Sequence, residues 1–333
     1  MKTINIAILN YKHAILTSVV GPYEILLKSN QFLAQCGIED KTINVQILSN
    51  NVEFFNSPII LSKDRKQEIY DLILIPAFDI SYWEEVSKNE DEVMRWVKWQ
   101  YEQGAEVGSF CLGAFLLAKT GLLDRQYATT HWLGADMFRK LYPNVNLIDS
   151  KIITDYKGIY TSGGAYSFTT FMIYLLEKYF GKDLAILASK VFLINTHDMK
   201  QDSFAIFNLQ KNHNEKSILQ VQEMIEEKFT EYISVEQMAN FANMSLRTFI
   251  RKFKKSTGLT PLAYLQRVRI ENAKKLLESS QLGIEQITFD VGYSDFSAFR
   301  KVFKKNVGMN PSHYKKLYGF NTNPELIYTK VKL

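Results

Sequence analysis

The chain has 333 residues, with 40 Lys+Arg against 35 Asp+Glu, a formal net charge of +5, and 46% of its residues are hydrophobic. These ordinary globular values exclude wholesale disorder and collagen-like or low-complexity architectures, and the length predicts two domains, each with its own core. Cys36 and Cys111 are too few for a disulfide scaffold or a Cys-rich zinc site, so no metal or cofactor is expected. The apolar start is too short and too alternating for a signal peptide. No run of about 18 apolar residues occurs, so the sequence predicts a soluble, cytoplasmic protein with no membrane partner.

Strand-like runs come first, at Ile4–Leu9, Val45–Leu48, Leu72–Ile75, Ala105–Gly108 and Ile159–Thr161. Helical periodicity lies between them, at about Tyr23–Gln35, Val93–Gln103, Ala114–Thr120 and Phe168–Phe180. Near-continuous apolar strands alternating with helices predict a parallel sheet covered on both faces. The densest chemical signal is Val107-Gly-Ser-Phe-Cys111-Leu-Gly-Ala-Phe115, a strand, a Cys on a sharp turn and a helix. That is the grammar of a nucleophile elbow, in which a helix N-terminus lowers a thiol pKa or holds an anion. A buried structural Cys fits the same residues equally well.

The polar run Gln210–Lys216 reads as a linker, which divides the chain into a domain at 1–210, a linker at 211–217, a second domain at 218–320 and a tail at 321–333 with a possible short strand. Residues 214–320 carry 17 Lys+Arg and 11 Asp+Glu, whereas residues 1–213 carry 21 and 23. The basicity therefore belongs to the last third, which reads as wholly helical and repeats itself.

Phe249, Phe253, Lys254, Lys255, Gly258, Pro261 and Tyr264 recur 50 residues later as Phe299, Phe303, Lys304, Lys305, Gly308, Pro311 and Tyr314. Upstream, Glu236-Gln237 pairs with Glu285-Gln286 at an offset of 49, so a one-residue slip falls in the turn of each unit. Each unit reads as helix, tight turn, helix. In the first, Ser234 caps Val235–Ala242 and Ser245 caps a helix to about Ser256; in the second, Ile284–Val291 is followed by a helix capped by Asp295. The Phe pairs are spaced i,i+4 and should face the core. The opposite faces then present Arg247, Thr248 and Arg251 in one unit, and Ser297, Ala298 and Lys301 in the other. Short polar and basic side chains suit base edges in a major groove, and Lys254, Lys255, Lys304 and Lys305 are placed for phosphates. A single helix of this kind is usually just solvated; two copies joined by one helix at about Leu262–Glu278 favour double-stranded DNA. Phe296 sits near the second reading face.

At this point the sequence resembles known families. Residues 245–261, 291–305 and 308–314 resemble an AraC/XylS-type DNA-binding domain over about 218–318, which implies base readout from the two second helices. Ile250 departs from that pattern, being apolar where relatives often place a polar base contact. The first two-thirds, roughly residues 4–195, resemble the PfpI/ThiJ, class I glutamine amidotransferase-like superfamily. The resemblance rests on the Cys111 turn, Gly21-Pro-Tyr-Glu24, Gly121-Leu-Leu-Asp124 with Ala128-Thr-Thr-His-Trp132, and Thr161-Ser-Gly-Gly164, and its nearest branch is the GlxA-like regulators. It implies a flavodoxin-like α/β sandwich ahead of the all-α domain, and an early loop whose Glu24 approaches Cys111.

Catalysis is not expected. Leu112 stands where peptidase-like members place His, the one His-x-Glu pair, His213-Asn214-Glu215, falls in the polar linker run, and Ser18 replaces the Asp of hydratase-like relatives. Glu24, Cys111 and His131 read as a degenerate catalytic site. With Leu112, Gly163 and Gly164 they read as a pocket for a small-molecule effector. The expectation is a transcriptional regulator that forms a homodimer; the alternative is a cysteine-dependent hydrolase with an accessory helical domain.

Overall fold

The computed structural model describes residues 1–49, 69–164, 166–194, 211 and 213–319. The chain divides into two compact units, separated after Gln201. The first runs β1 (Lys2–Asn10), α1 (Thr17–Asn30), β2 (Lys41–Ser49), β3 (Leu72–Ile75), α2 (Trp83–Asn89), α3 (Asp91–Glu102), β4 (Glu106–Phe110), α4 (Gly113–Lys119), β5 (Tyr127–Ala128), α5 (Ala135–Leu141), β6 (Asn146–Leu147), β7 (Ile153–Tyr156), β8 (Ile159–Ser162), α6 (Phe168–Phe180) and α7 (Lys182–Val191).

Six strands form one sheet in the order β2-β1-β3-β4-β8-β7, and β5 and β6 pair apart from it. Every predicted strand is present, and the predicted strands pair with one another in parallel. The unpredicted strand β7 adds an antiparallel edge. Only Lys157 and Gly158 separate it from β8, with φ of 50° and 74°, so the connection is a tight hairpin with no room for a crossover. Side chains alternate between two cores. Ile6, Ile8, Leu72 and Leu74 pack with Val19, Leu26, Phe171 and Leu184, whereas Ala7, Leu9, Ile73 and Ile75 pack with Val86, Val97, Phe115 and Phe138. Apolar residues on both faces are what a sheet with helices on either side requires.

Helix α1 begins six residues before its predicted start, so Gly21 and Pro22 are helical where the resemblance implied a loop. Pro22 is buried, and Gly21 lies so close to the Phe168 ring that a Cβ would come within 2.5 Å of it. Packing against α6 offsets the lost amide, a defect worth about 3 kcal/mol in a helix interior.

The second unit contains α8 (Lys216–Lys228), α9 (Val235–Phe241), α10 (Leu246–Thr257), α11 (Pro261–Ser279), α12 (Ile284–Asp290), α13 (Phe296–Val307) and α14 (Pro311–Tyr318). It has two small cores. Ile218, Val221, Met238, Phe249 and Phe253 build the first, and Ile287, Val291, Phe299 and Phe303 the second. Helix α11 serves both, giving Tyr264, Leu265 and Val268 to one and Ile270, Ala273 and Leu277 to the other. It is the predicted connecting helix, opened by Pro261 at its first turn and by Thr260, whose Oγ1 accepts from the Ala263 amide. Its 19 residues span about 28 Å.

The expected linker is partly built into this unit. Lys211 Nζ lies 2.8 Å from Glu226, His213 Nε2 lies 2.9 Å from Gln222 Oε1, and Lys216 and Ser217 open α8. These contacts hold the run on α8, although Lys211, Asn214, Glu215 and Lys216 remain exposed. Gln210, Asn212 and the tail 321–333, with its expected strand, lie outside the described residues.

Candidate nucleic-acid interface and the cysteine turn

Each helix-turn-helix unit rests on the same aromatic set. The Phe249–Phe253 and Phe253–Tyr264 ring centroids are 5.5 Å apart, and the corresponding Phe299–Phe303 and Phe303–Tyr314 distances are 5.6 Å. Tyr264 donates to Glu226 at 2.8 Å and Tyr314 to Glu278 at 2.5 Å. Burial and the adjacent carboxylate raise both phenol pKa values, so each hydroxyl remains a donor. Asn243 and Gly292, 49 residues apart, make the two turns with φ of 53° and 86°.

The caps of the two reading helices differ. Asp295 accepts from the amides of Ser297 and Ala298 at 3.2 and 2.7 Å. Ser245 occupies the corresponding position of α10 but makes no capping bond, contrary to expectation. Its hydroxyl is engaged by the Thr248 hydroxyl at 3.0 Å instead. Ser234, by contrast, forms a full capping box with Gln237.

Arg247, Arg251, Lys254 and Lys255 are exposed on α10 and Thr248 is half-buried. On α13, Ser297, Ala298, Lys301, Lys304 and Lys305 are exposed, together with Phe296. These residues form two basic faces on matching helices. A groove of about 630 Å³ on α10 is lined by Leu246, Arg247, Ile250, Arg251, Lys254 and Lys255. Arg300 is also exposed on α13, its Nε 3.4 Å from Asn310 Oδ1. Sequence reasoning passed over it, although the 50-residue offset that pairs it with Ile250 was available. Behind the faces, Arg269 of α11 donates to the carbonyls of Phe229 and Glu231 at 2.7 and 2.8 Å and lies over the Tyr293 ring at 5.3 Å. It ties the α8–α9 connection to the turn of the second unit.

In the first unit, Cys111 stands between β4 and α4 with φ of 52°. Its amide donates to the Ser162 carbonyl at 2.7 Å, and its carbonyl accepts from Thr130 Oγ1 at 3.0 Å. Gly113 is required just after it, because a Cβ there would lie 2.4 Å from the Pro76 carbonyl. The backbone is therefore that of an elbow, but Cys111 is only 3% exposed, and burial pushes its thiol pKa up to about 12. Such a thiol is neutral at physiological pH.

Leu112 is buried against Gly134 in the turn that follows His131. His131 is half-buried, its Nδ1 accepts from the Leu133 amide at 3.1 Å, and burial lowers its pKa, so the ring is neutral. Gly163 follows Ser162 and donates to the Ile152 carbonyl at 2.8 Å; Gly164, at φ of 77°, accepts from Ser167 at 2.9 Å. Hydrogen bonds thus link the Cys111 turn to the segments that carry His131 and Gly163.

Glu24 is different. It is exposed on α1, off the buried row that includes Ser18 and Pro22. The α1 side chain tied to the strand-end loop is Ser18, which accepts from the Ala77 amide at 3.0 Å. No motif signalled Glu90. It is 4% exposed, its Oε2 has no hydrogen-bond partner among the described residues, and burial raises its carboxyl to about 7. Burial, and after it the neighbouring Glu90 and Cys111, raise the pKa of Tyr11, whose hydroxyl donates to the Pro76 carbonyl at 2.5 Å.

Among the described residues no helix is long and apolar enough to cross a membrane. A helix-turn-helix domain model matches residues 238–317, and the DJ-1/PfpI family model matches residues 42–178. The HTH-type transcriptional regulator GlxA of Rhizobium meliloti is 28% identical over 65% of this chain and 67% of its own length. The regulator CdhR of Pseudomonas aeruginosa is 24% identical over 80% of this chain and 77% of its own. The regulator GbdR of the same species is 24% identical over 64% of this chain, and the match spans only 58% of GbdR. The chain thus carries a DJ-1/PfpI-like region followed by an AraC-type helix-turn-helix region, the order of domains it shares with these HTH-type regulators.

Proposed function

We propose that the chain is a sequence-specific DNA-binding transcriptional regulator whose α10 and α13 read two successive major grooves. The observation that carries this reading is the duplication of a basic face on a repeated scaffold, with Arg247, Arg251, Lys254 and Lys255 answered by Lys301, Lys304 and Lys305. One such helix is ordinary; two joined by a single long helix form a reader with a defined pitch. The test is selection of genomic fragments by the purified chain. Recovery of a shared motif with salt-dependent affinity is expected, and equal affinity for unrelated duplexes would sink the reading.

The DJ-1/PfpI-family domain is proposed to sense a small metabolite around Cys111, Leu112, His131, Gly163 and Gly164, or to join two copies as a homodimer. Glu24 is exposed on α1, off that helix's buried row. An effector shifts the regulator only by the difference in its affinity for two arrangements. The cysteine-hydrolase reading is disfavoured by the buried, neutral thiol. Alkylation of the folded chain checks this directly. With the thiol at about 12, the rate is expected to climb through pH 9 without levelling, since the thiolate population is still growing. A plateau near neutrality would restore the enzyme reading.

A further inference from the structure

Helices α10 and α13 superpose in sequence at an offset of 50, and their reading faces part company at Ile250, where the second unit has Arg300. Ile250 is not simply core. One side of it packs on the first core, and it also lines the groove that Leu246, 40% exposed, shares with Arg247, Arg251, Lys254 and Lys255. The wall of that groove is mainly hydrocarbon, edged by four cations.

Polar base edges are poor occupants of such a place. Ile and Leu offer neither donor nor acceptor, so an amino or carbonyl group pressed there loses its water and gains nothing. The major groove displays one apolar feature between its rows of phosphates, the C5-methyl group of thymine. Lys254 and Lys255 match the phosphates that border it, so shape, polarity and charge agree on one occupant.

Resting on the reading that α10 enters the major groove, we infer that Ile250 and Leu246 form a receptor for a thymine methyl group. The apolar residue at this position then changes the readout by the first unit and does not reduce it. The first half-site carries an obligatory thymine beside the bases contacted by Arg247 and Arg251.

The test uses the full chain with random duplex pools amplified with dTTP or with dUTP, which differ only in that methyl. The dTTP pool is expected to yield a motif in which one thymine-to-deoxyuridine exchange weakens binding about fourfold, the size of one buried methyl. In Ile250→Ala that exchange should become neutral while binding to the rest of the motif persists. Leu246→Ala, at a more exposed position, serves if Ile250→Ala does not fold, and should reduce the same effect. If a motif is recovered but no exchange matters, or if the effect survives both substitutions, the inference falls and DNA reading stands. If neither pool yields a motif, DNA reading falls and the inference falls with it.

Discussion

In the first helix-turn-helix unit Phe249, Phe253 and Tyr264 pack together on the buried side of the reading helix, and in the second Phe299, Phe303 and Tyr314 do the same with nearly the same spacings. Above those cores the units diverge. The first displays Leu246, Arg247, Ile250 and Arg251 over an uncapped helix start, and the second displays Ser297, Ala298, Arg300 and Lys301 over amides held by Asp295. Close packing leaves buried aromatics little latitude, whereas the exposed face is free to vary. A duplicated scaffold thus provides two readers of one geometry and two chemistries.

The comparison breaks most readily at its shared part. Phe253→Ala and Phe303→Ala each leave an aromatic-sized cavity and should cost about 3–5 kcal/mol. Thermal unfolding is expected to show comparable losses, and a much smaller loss in one would mean that the cores are not equivalent. The faces should separate next. Arg251→Ala should lower specific affinity by about 1–3 kcal/mol and relax preference at one base, whereas Lys304→Ala should weaken all sequences alike and reduce the salt slope by about 1. Binding isotherms across salt distinguish the two. The caps give the smallest contrast: Asp295→Ala should destabilise by about 1 kcal/mol, and Ser245→Ala, which removes no capping bond, by a few tenths at most. Equal losses in denaturant melts would show that Ser245 caps in solution.

The sequence made the repeat legible because identical residues recur at a fixed offset, and Pro261 with Thr260 announces the connecting helix without any tertiary information. Central strands were equally readable, since Leu72–Ile75 and its neighbours are apolar on both faces. What escaped depends on partners. Gly21-Pro22 looks like a loop until Phe168 is packed against it. Ser245 looks like a cap until its hydroxyl turns to Thr248. The Lys157-Gly158 hairpin lacks the Asn-Gly or Asp-Gly pair that usually marks such a turn. Glu90 is an unremarkable acid in the sequence, and only burial makes it unusual. Glu24, carried over from a motif, stands on the exposed face because helix phase, not sequence proximity to Pro22, decides where it goes.

The Arg269 junction has a consequence for the DNA as much as for the protein. By tying Phe229 and Glu231 to the Tyr293 turn, it makes the second unit a rigid gauge of helical phase. With about 10–10.5 base pairs per turn, one inserted base pair rotates the distal half-site by roughly 34–36°. A loosely hinged pair of readers would absorb that twist. A clamped pair must let go of one half, so a single-base-pair insertion should reduce affinity to that of one half-site, and Arg269→Met should recover part of the loss.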